Sequence, residues 1–278
     1  MALSCYPDIS KLIKLEDGTR YAYAFSPAAA SKPTFLLLHG FPSSSYDWRH
    51  QISALKLKGY GVVAPDLLGY GDTDSPASFE AYSLKTMSDH IASILASEGL
   101  GKVIGVSHDW GSGLLSHFYT WHPECLSSLI FASVGYIEPS GTARDIDAIN
   151  TLTEKLFGYA NYGYWKFFNT EGAAKILDSN PHSMTSLLFP HNPEMWRVNF
   201  APVGAAEAWI SAGTTTPPPS WLTAEELIIH DEIMAKKGYT GPLNWYEASM
   251  RGVDASKEAT ISKEGKEVQL PTLLVVSD

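Results

Sequence analysis

Along the first part of the chain, short uninterrupted apolar runs alternate with stretches that repeat apolar residues at helical spacing. Thr34 to Leu38 (TFLLL) is one run, ending at His39-Gly40. Gly61 to Ala64 ends at Pro65-Asp66, and Lys102 to Ser107 and Leu129 to Ser133 follow. Runs without polar interruption suit strands buried on both faces of a parallel sheet. Arg20 to Phe25 alternates instead, as an antiparallel edge strand does. Between the runs, Ser83 is placed to cap a helix carrying Met87, Ile91, Ile94 and Leu95 on one face and closed by Gly99. A second helix is expected from Trp110 to Trp121, stopped ahead of Pro123. This β-α-β-α order predicts an α/β fold with a mostly parallel, doubly wound sheet.

The pattern changes near Glu138-Pro139. From there to about Trp245 the chain reads as aromatic-rich helices and loops, a helical cap inserted into the core. Thr223 and Glu226 form a capping-box signature opening a helix that Gly238 closes. Thr214 to Pro219 (TTTPPP) is a stiff connector. Asp254 to Gln269 is a polar return segment, and Leu270 to Ser277 (LPTLLVVS) reads as one more buried strand. The expected organisation is therefore core over 1–138, cap over 139–245, and return segment with a core strand over 246–278.

Composition narrows the function. Hydrophobic residues make up 45% of the 278, enough for a sizeable core. Thirty carboxylates against twenty Lys and Arg give a formal charge of -10, with no basic run to bind nucleic acid or an anionic membrane surface. Two cysteines, Cys5 and Cys125, match no metal or disulfide spacing, which fits a reducing, cytoplasmic location. No basic-then-apolar leader opens the chain, and no run approaches the roughly 18 apolar residues of a membrane helix.

The stretch Val103 to Gly113, VIGVSHDWGSG, carries the chemistry. A strand leads directly into a tight turn and a helix. Such an elbow strains its central residue and demands small residues two positions before and after it. Centred on Asp109, it finds Ser107 and Gly111. Centred on Ser107, it finds Gly105 and the carboxylate of Asp109, a poor steric choice. Taken alone, an Asp in a strand-to-helix loop reads better as a helix cap.

His39-Gly40-Phe41-Pro42, followed by SSSYDWRH, resembles the HGxP segment of epoxide hydrolases and haloalkane dehalogenases. Asp66-Leu-Leu-Gly-Tyr-Gly-Asp resembles the glycine-rich loop after a core strand there, and Ser107-His-Asp-Trp-Gly their nucleophile elbow. The three occur in order from Phe35 to about Pro139. The resemblance implies an α/β-hydrolase fold of the epoxide hydrolase type, with Asp109 as covalent nucleophile and the N–H groups of Phe41 and Trp110 as oxyanion hole. Physical chemistry agrees: the Trp110 amide would open a helix, where N–H groups are unpaired and face an anion. Pro42 is expected to follow a cis bond or merely to end the strand. His39 is expected to be a hydrogen-bonding loop residue and not a base, and Trp48 to pack behind the oxyanion loop.

An ionised aspartate needs no base to attack a saturated electrophilic carbon, and its ester product is hydrolysed by water. Opening an epoxide leaves an alkoxide, which wants a proton donor. The family uses two cap tyrosines for this. Gly241-Pro-Leu-Asn-Trp-Tyr246 resembles its NWY motif, nominating Tyr246; Tyr164-Trp-Lys-Phe-Phe resembles its first cap-helix motif, nominating Tyr164, with Tyr162 as fallback. The other reading of these rings is aromatic packing. Trp165 and Phe168 are expected to line the substrate pocket. The expected reactants are a small apolar epoxide and water. Neither metal nor organic cofactor is implied, and a homodimer is a candidate assembly. Haloalkane dehalogenase is the competing reading. There a second halide donor comes from Asn at the x of HGxP in one group; here that residue is Phe41, and Trp165, Trp196 or Trp209 would have to substitute.

The family's acid follows the strand matched by Leu270 to Ser277, which nominates Asp278 or a residue beyond it. Its water-activating His comes after a further strand and helix. None of the nine histidines lies in that context, so no base is assigned. Two explanations stand: about 40 to 60 further residues complete the core, as domain size suggests, or the chain ends here and is a non-turnover, ligand-binding homologue.

Overall fold

The computed structural model of the chain describes residues 2–276. Its internal contacts divide it into two units, Met1–Thr142 with Val253–Asp278, and Ala143–Gly252. In the first, the described residues form a seven-stranded sheet of β1 (Ser10–Lys14), β2 (Arg20–Ser26), β3 (Thr34–Leu38), β4 (Gly61–Pro65), β5 (Val103–His108), β6 (Leu126–Ala132) and β7 (Thr272–Val275), ordered β1-β2-β4-β3-β5-β6-β7. The β1/β2 and β2/β4 pairs are antiparallel; the rest are parallel. The apolar runs became strands because both their faces are covered: β4 is buried at every position, and β3 at all but Phe35.

The helices of this part are α1 (Ala2–Cys5), α2 (Arg49–Leu57), α3 (Leu84–Ser97) and α4 (Trp110–Trp121). The Ser83 hydroxyl accepts from the Thr86 N–H at 3.1 Å, and Gly99 closes the segment at φ +65°. From β3 the chain steps outward to β4, then crosses back over β3 to β5 and continues to β6. Right-handed crossovers therefore put α2 on one face and α3 with α4 on the other, and α3 packs on α4. The reversal falls between β3 and β5, whose following loops leave to opposite faces and open a crevice at the strand ends. Leu38 pairs with Ser107, so His39-Gly40 and His108-Asp109 leave the sheet side by side.

Two expectations are corrected. Arg20–Ser26 is antiparallel but not an edge, because β1 pairs outside it. β1 was not legible: SKLIK has two adjacent apolar residues and stays mostly exposed, since an edge strand buries little. The segment at 270–277 does form a strand, but Thr272–Val275 is exposed throughout and not buried. It lies last in the strand order and pairs only with β6 among the described strands. Ser277 and Asp278, the latter the candidate acid, lie outside the described residues.

The second unit is helical, with α5 (Ile146–Phe157), α6 (Gly163–Phe168), α7 (Ala173–Ser179), α8 (Pro181–Leu188), α9 (Ala205–Ser211), α10 (Ala224–Ala235) and α11 (Thr240–Met250), and a π-helical turn at Trp196–Phe200. The capping box at Thr223 and Glu226 has both its bonds, and residues 214–219 take no regular structure. The α11 helix lies whole within this unit, which closes at Gly252 and not at 245. The return segment opens with α12 (Ala255–Glu258).

Candidate active site

The turn between β5 and α4 is a single residue. Asp109 stands at φ +52°, ψ -123°, a conformation that L-residues rarely adopt and that costs on the order of 1–3 kcal/mol. Its neighbours explain how the chain tolerates it. A Cβ at Gly111 would stand 2.2 Å from the Leu38 carbonyl oxygen and 2.6 Å from that of His39, so α4 starts against the end of β3. Ser107 is wholly buried inside β5, its Oγ 3.0 Å from the Ser112 Oγ and donating to the Ile130 carbonyl at 3.3 Å. The turn is therefore centred on Asp109, and Ser107 is a packed strand residue.

The Asp109 carboxylate does not cap α4 through its side chain. Its Oδ1 accepts the Phe41 N–H at 2.8 Å, and the Trp110 N–H also bonds to the carboxylate. Burial pushes the carboxyl above the ordinary aspartate range; these two N–H donors and the neighbouring His108 pull the other way without cancelling it. The peptide bond between Phe41 and Pro42 is cis, as expected. Trp48 packs with Leu37, Ile52 and Val62 in the core beneath this loop.

Asp66 and His39 hold the loop, His39 as the hydrogen-bonding loop residue expected from the sequence. The fully buried Asp66 carboxylate accepts from Ser45 N–H at 3.0 Å, Ser45 Oγ at 2.7 Å, Asp72 N–H at 3.1 Å and Ala2 N–H at 2.8 Å. Burial opposes its charge, but the N-terminal charge and then these donors hold it below the usual carboxylate range. His39 bridges the loops after β3 and β4. The sequence placed both in motif loops but gave no sign of the partners that Asp66 gathers.

Most of the other histidines are committed elsewhere. His90 pairs with Asp17, His117 with Glu258 and His122 with Asp89, while His182 and His230 flank Asp231. His108 is exposed beside Asp109.

The helical unit gathers its predicted residues by itself. The Tyr164 ring on α6 and the Tyr246 ring on α11 lie edge to face with centroids 6.1 Å apart. Tyr246 is 2% exposed, with Trp165 at 4.9 Å and Phe168 at 5.0 Å, and Tyr164 stacks on Phe200 at 4.2 Å. Trp165 and Phe168 are buried, packing the tyrosine rings. Tyr162, the fallback, is 37% exposed at the edge of this cluster. The Trp196 Nε1 donates to the Leu187 carbonyl at 2.8 Å. Among the described residues no cluster of His, Cys, Asp or Glu could hold a metal, and no helix is long and apolar enough to cross a membrane.

Comparison with known proteins follows the same lines. The sequence profile of the alpha/beta hydrolase fold matches residues 33–164. Epoxide hydrolase 3 of Siraitia grosvenorii is 33% identical over 253 residues, 88% of this chain and 74% of that protein. The crystal structure of Epoxide Hydrolase A from Mycobacterium thermoresistibile superposes with a TM-score of 0.76 at 27% identity, covering 97% of this chain and 91% of the other. The epoxide hydrolase VrEH1 from Vigna radiata gives 0.75 at 30% identity over 96% and 79%.

Proposed function

The chain belongs to the epoxide hydrolase family of the α/β-hydrolase fold, and from that premise we propose that it opens small apolar epoxides through an ester formed on Asp109. The observation that carries the reading is the carboxylate held on a positive-φ turn by two backbone N–H groups in place of a helix cap. Phe41 N–H holds Oδ1, which leaves Oδ2 to attack. Oδ2 bonds to a ring carbon, the carbon–oxygen bond breaks, and its electron pair goes to the epoxide oxygen. The alkoxide takes a proton from a phenol, the role assigned to Tyr246 and Tyr164. Water then adds to the ester carbonyl; the resulting oxyanion sits where Oδ1 sat, between the N–H groups of Phe41 and Trp110, and collapse releases the vicinal diol. The reading names residues for alkylation and for the oxyanion, and assigns no base to the water.

Phe41 offers no side-chain donor to a halide, which favours the epoxide; of the tryptophans that could substitute, the Trp196 indole N–H is engaged by the Leu187 carbonyl, whereas the buried Trp209 Nε1 has no hydrogen-bond partner among the described residues. Incubation with an aryl epoxide, followed by intact-mass and peptide analysis, should find the epoxide's mass added at Asp109, or free diol, and neither with Asp109→Asn. Halide release from a haloalkane without reaction of any epoxide would sink the assignment.

A further inference from the structure

His39 is 1% exposed, and both its ring nitrogens are spoken for. Nε2 faces the Leu67 N–H at 2.9 Å, and Nδ1 faces the Gly40 carbonyl oxygen at 2.9 Å. An amide N–H can only donate and a carbonyl oxygen can only accept. Nε2 is therefore bare and Nδ1 carries the proton, so the ring is the neutral Nδ1–H tautomer. Tyr70 stands edge-on to the ring at 4.9 Å and fixes its plane.

The Gly40 carbonyl and the Phe41 N–H belong to one planar peptide unit, and in a trans peptide they point in opposite directions. Holding the carbonyl on one side aims the N–H to the other, where it meets Asp109 Oδ1 at 2.8 Å. Gly40 has no side chain to steer the unit, and the space a Cβ would need is filled by Asp109. We infer that His39 is a positioning residue: its Nδ1–H locks the Gly40–Phe41 peptide so that the Phe41 N–H faces the nucleophile and the oxyanion that replaces it.

The partner of Nε2 extends the device. Leu67 follows β4, so the tautomer is dictated from the neighbouring loop, which Asp66 ties to Ser45 in parallel. Moving the proton from Nδ1 to Nε2 would set N–H against N–H at Leu67 and release the lock at Gly40. Burial holds the imidazole below its usual range, in keeping with a ring that stays neutral. Of the charged groups acting on it, Asp66 and Asp47 favour protonation and the N-terminal charge opposes it, and burial outweighs the two carboxylates.

The inference rests on the proposed reaction only for its kinetic arm; its spectroscopic arms need no substrate. In the wild-type protein, ¹⁵N shifts of the His39 ring should show Nδ1 protonated and Nε2 bare from neutral pH to well below the ordinary histidine range. An Nε2–H tautomer would overturn the inference. Two variants separate the two hydrogen bonds. His39→Asn can present an amide N–H where Nδ1 stood, keeping the Gly40 bond and losing Leu67; His39→Gln can keep an acceptor for Leu67 and loses the Gly40 bond. The Phe41 amide proton should stay near its wild-type position in the Asn variant and move upfield in the Gln variant. Alkylation should fall about 100- to 1000-fold in the Gln variant, on the scale of a lost oxyanion donor, with KM unchanged, and only a few-fold in the Asn variant. If both variants lose activity and shift the amide alike, His39 merely supports the loop. Should the Gln variant fail to fold, the ring shifts of the wild-type protein still decide. Should no epoxide react, the amide and ring shifts test the lock independently.

Discussion

Gly40 has no side chain because Asp109 occupies its place: a Cβ built on Gly40 would stand 2.4 Å from the Asp109 Cβ and 2.6 Å from Oδ1. The two residues are brought together by the level pairing of Leu38 with Ser107. Gly40→Ala should therefore displace the carboxylate from the Phe41 N–H while leaving the sheet formed. The expected result is a loss of alkylation of 100-fold or more, the scale set by removing an oxyanion donor, with a Tm drop of only a few degrees. Single-turnover mass spectrometry and calorimetry check the two halves.

Asp109 also makes a stability prediction. Its carboxyl titrates above the ordinary value because burial disfavours the charge. The folded protein thus binds this proton more tightly than the unfolded chain, so the associated stability is present below about pH 3.9 and lost as pH rises through the raised value. Asp109→Asn removes that loss. It should raise the neutral-pH stability, read as a higher Tm, and the gain should shrink toward acid pH. In the wild type, alkylation should fall as pH drops through the same raised value. A variant equal to or less stable than wild type at pH 7 would contradict this.

The tyrosine pair gives a third test. Removing a positioned acid costs about 10²- to 10⁴-fold. Tyr246→Phe and Tyr164→Phe each keep the ring packing, so melting temperature should barely change while epoxide opening falls. The double variant should fall further than either single one. Tyr162→Phe, at the exposed rim, should have less than a few-fold effect. Equal effects at Tyr162 and Tyr164 would transfer the role.

Glu258 supports the core at a distance from the chemistry. Its Oε1 meets His117 Nε2 at 2.8 Å and its Oε2 accepts the Gly141 N–H at 3.0 Å, which ties α12 to α4 and to the chain just before Ala143. Burial works against its charge, but these partners hold its carboxyl below the usual range. The stability it lends is present above about pH 4.3 and lost as pH falls through the depressed value. Glu258→Ala should cost about 3 kcal/mol at pH 7, Glu258→Gln less, and both penalties should shrink in acid. Urea unfolding at two pH values measures them.

Local sequence determined a good deal of this protein. Short-range physics writes caps, runs and tight turns into neighbouring residues: TFLLL is β3 to the residue, Thr223 and Glu226 close their capping box, and Ser107, Asp109 and Gly111 announce the bend because steric demands two positions away are local. What the tertiary structure decided involves partners distant in the chain. Asp254 caps α3 from 170 residues away, its Oδ2 accepting the Leu84 N–H at 2.6 Å; no spacing rule can find such a donor. His39 could be read as a loop residue, but its proton is placed by Leu67, and that depends on which strand lies beside β3. Hydrophobicity and propensity travel along the chain, whereas hydrogen-bond partners across a sheet exist only once the order of its strands is set.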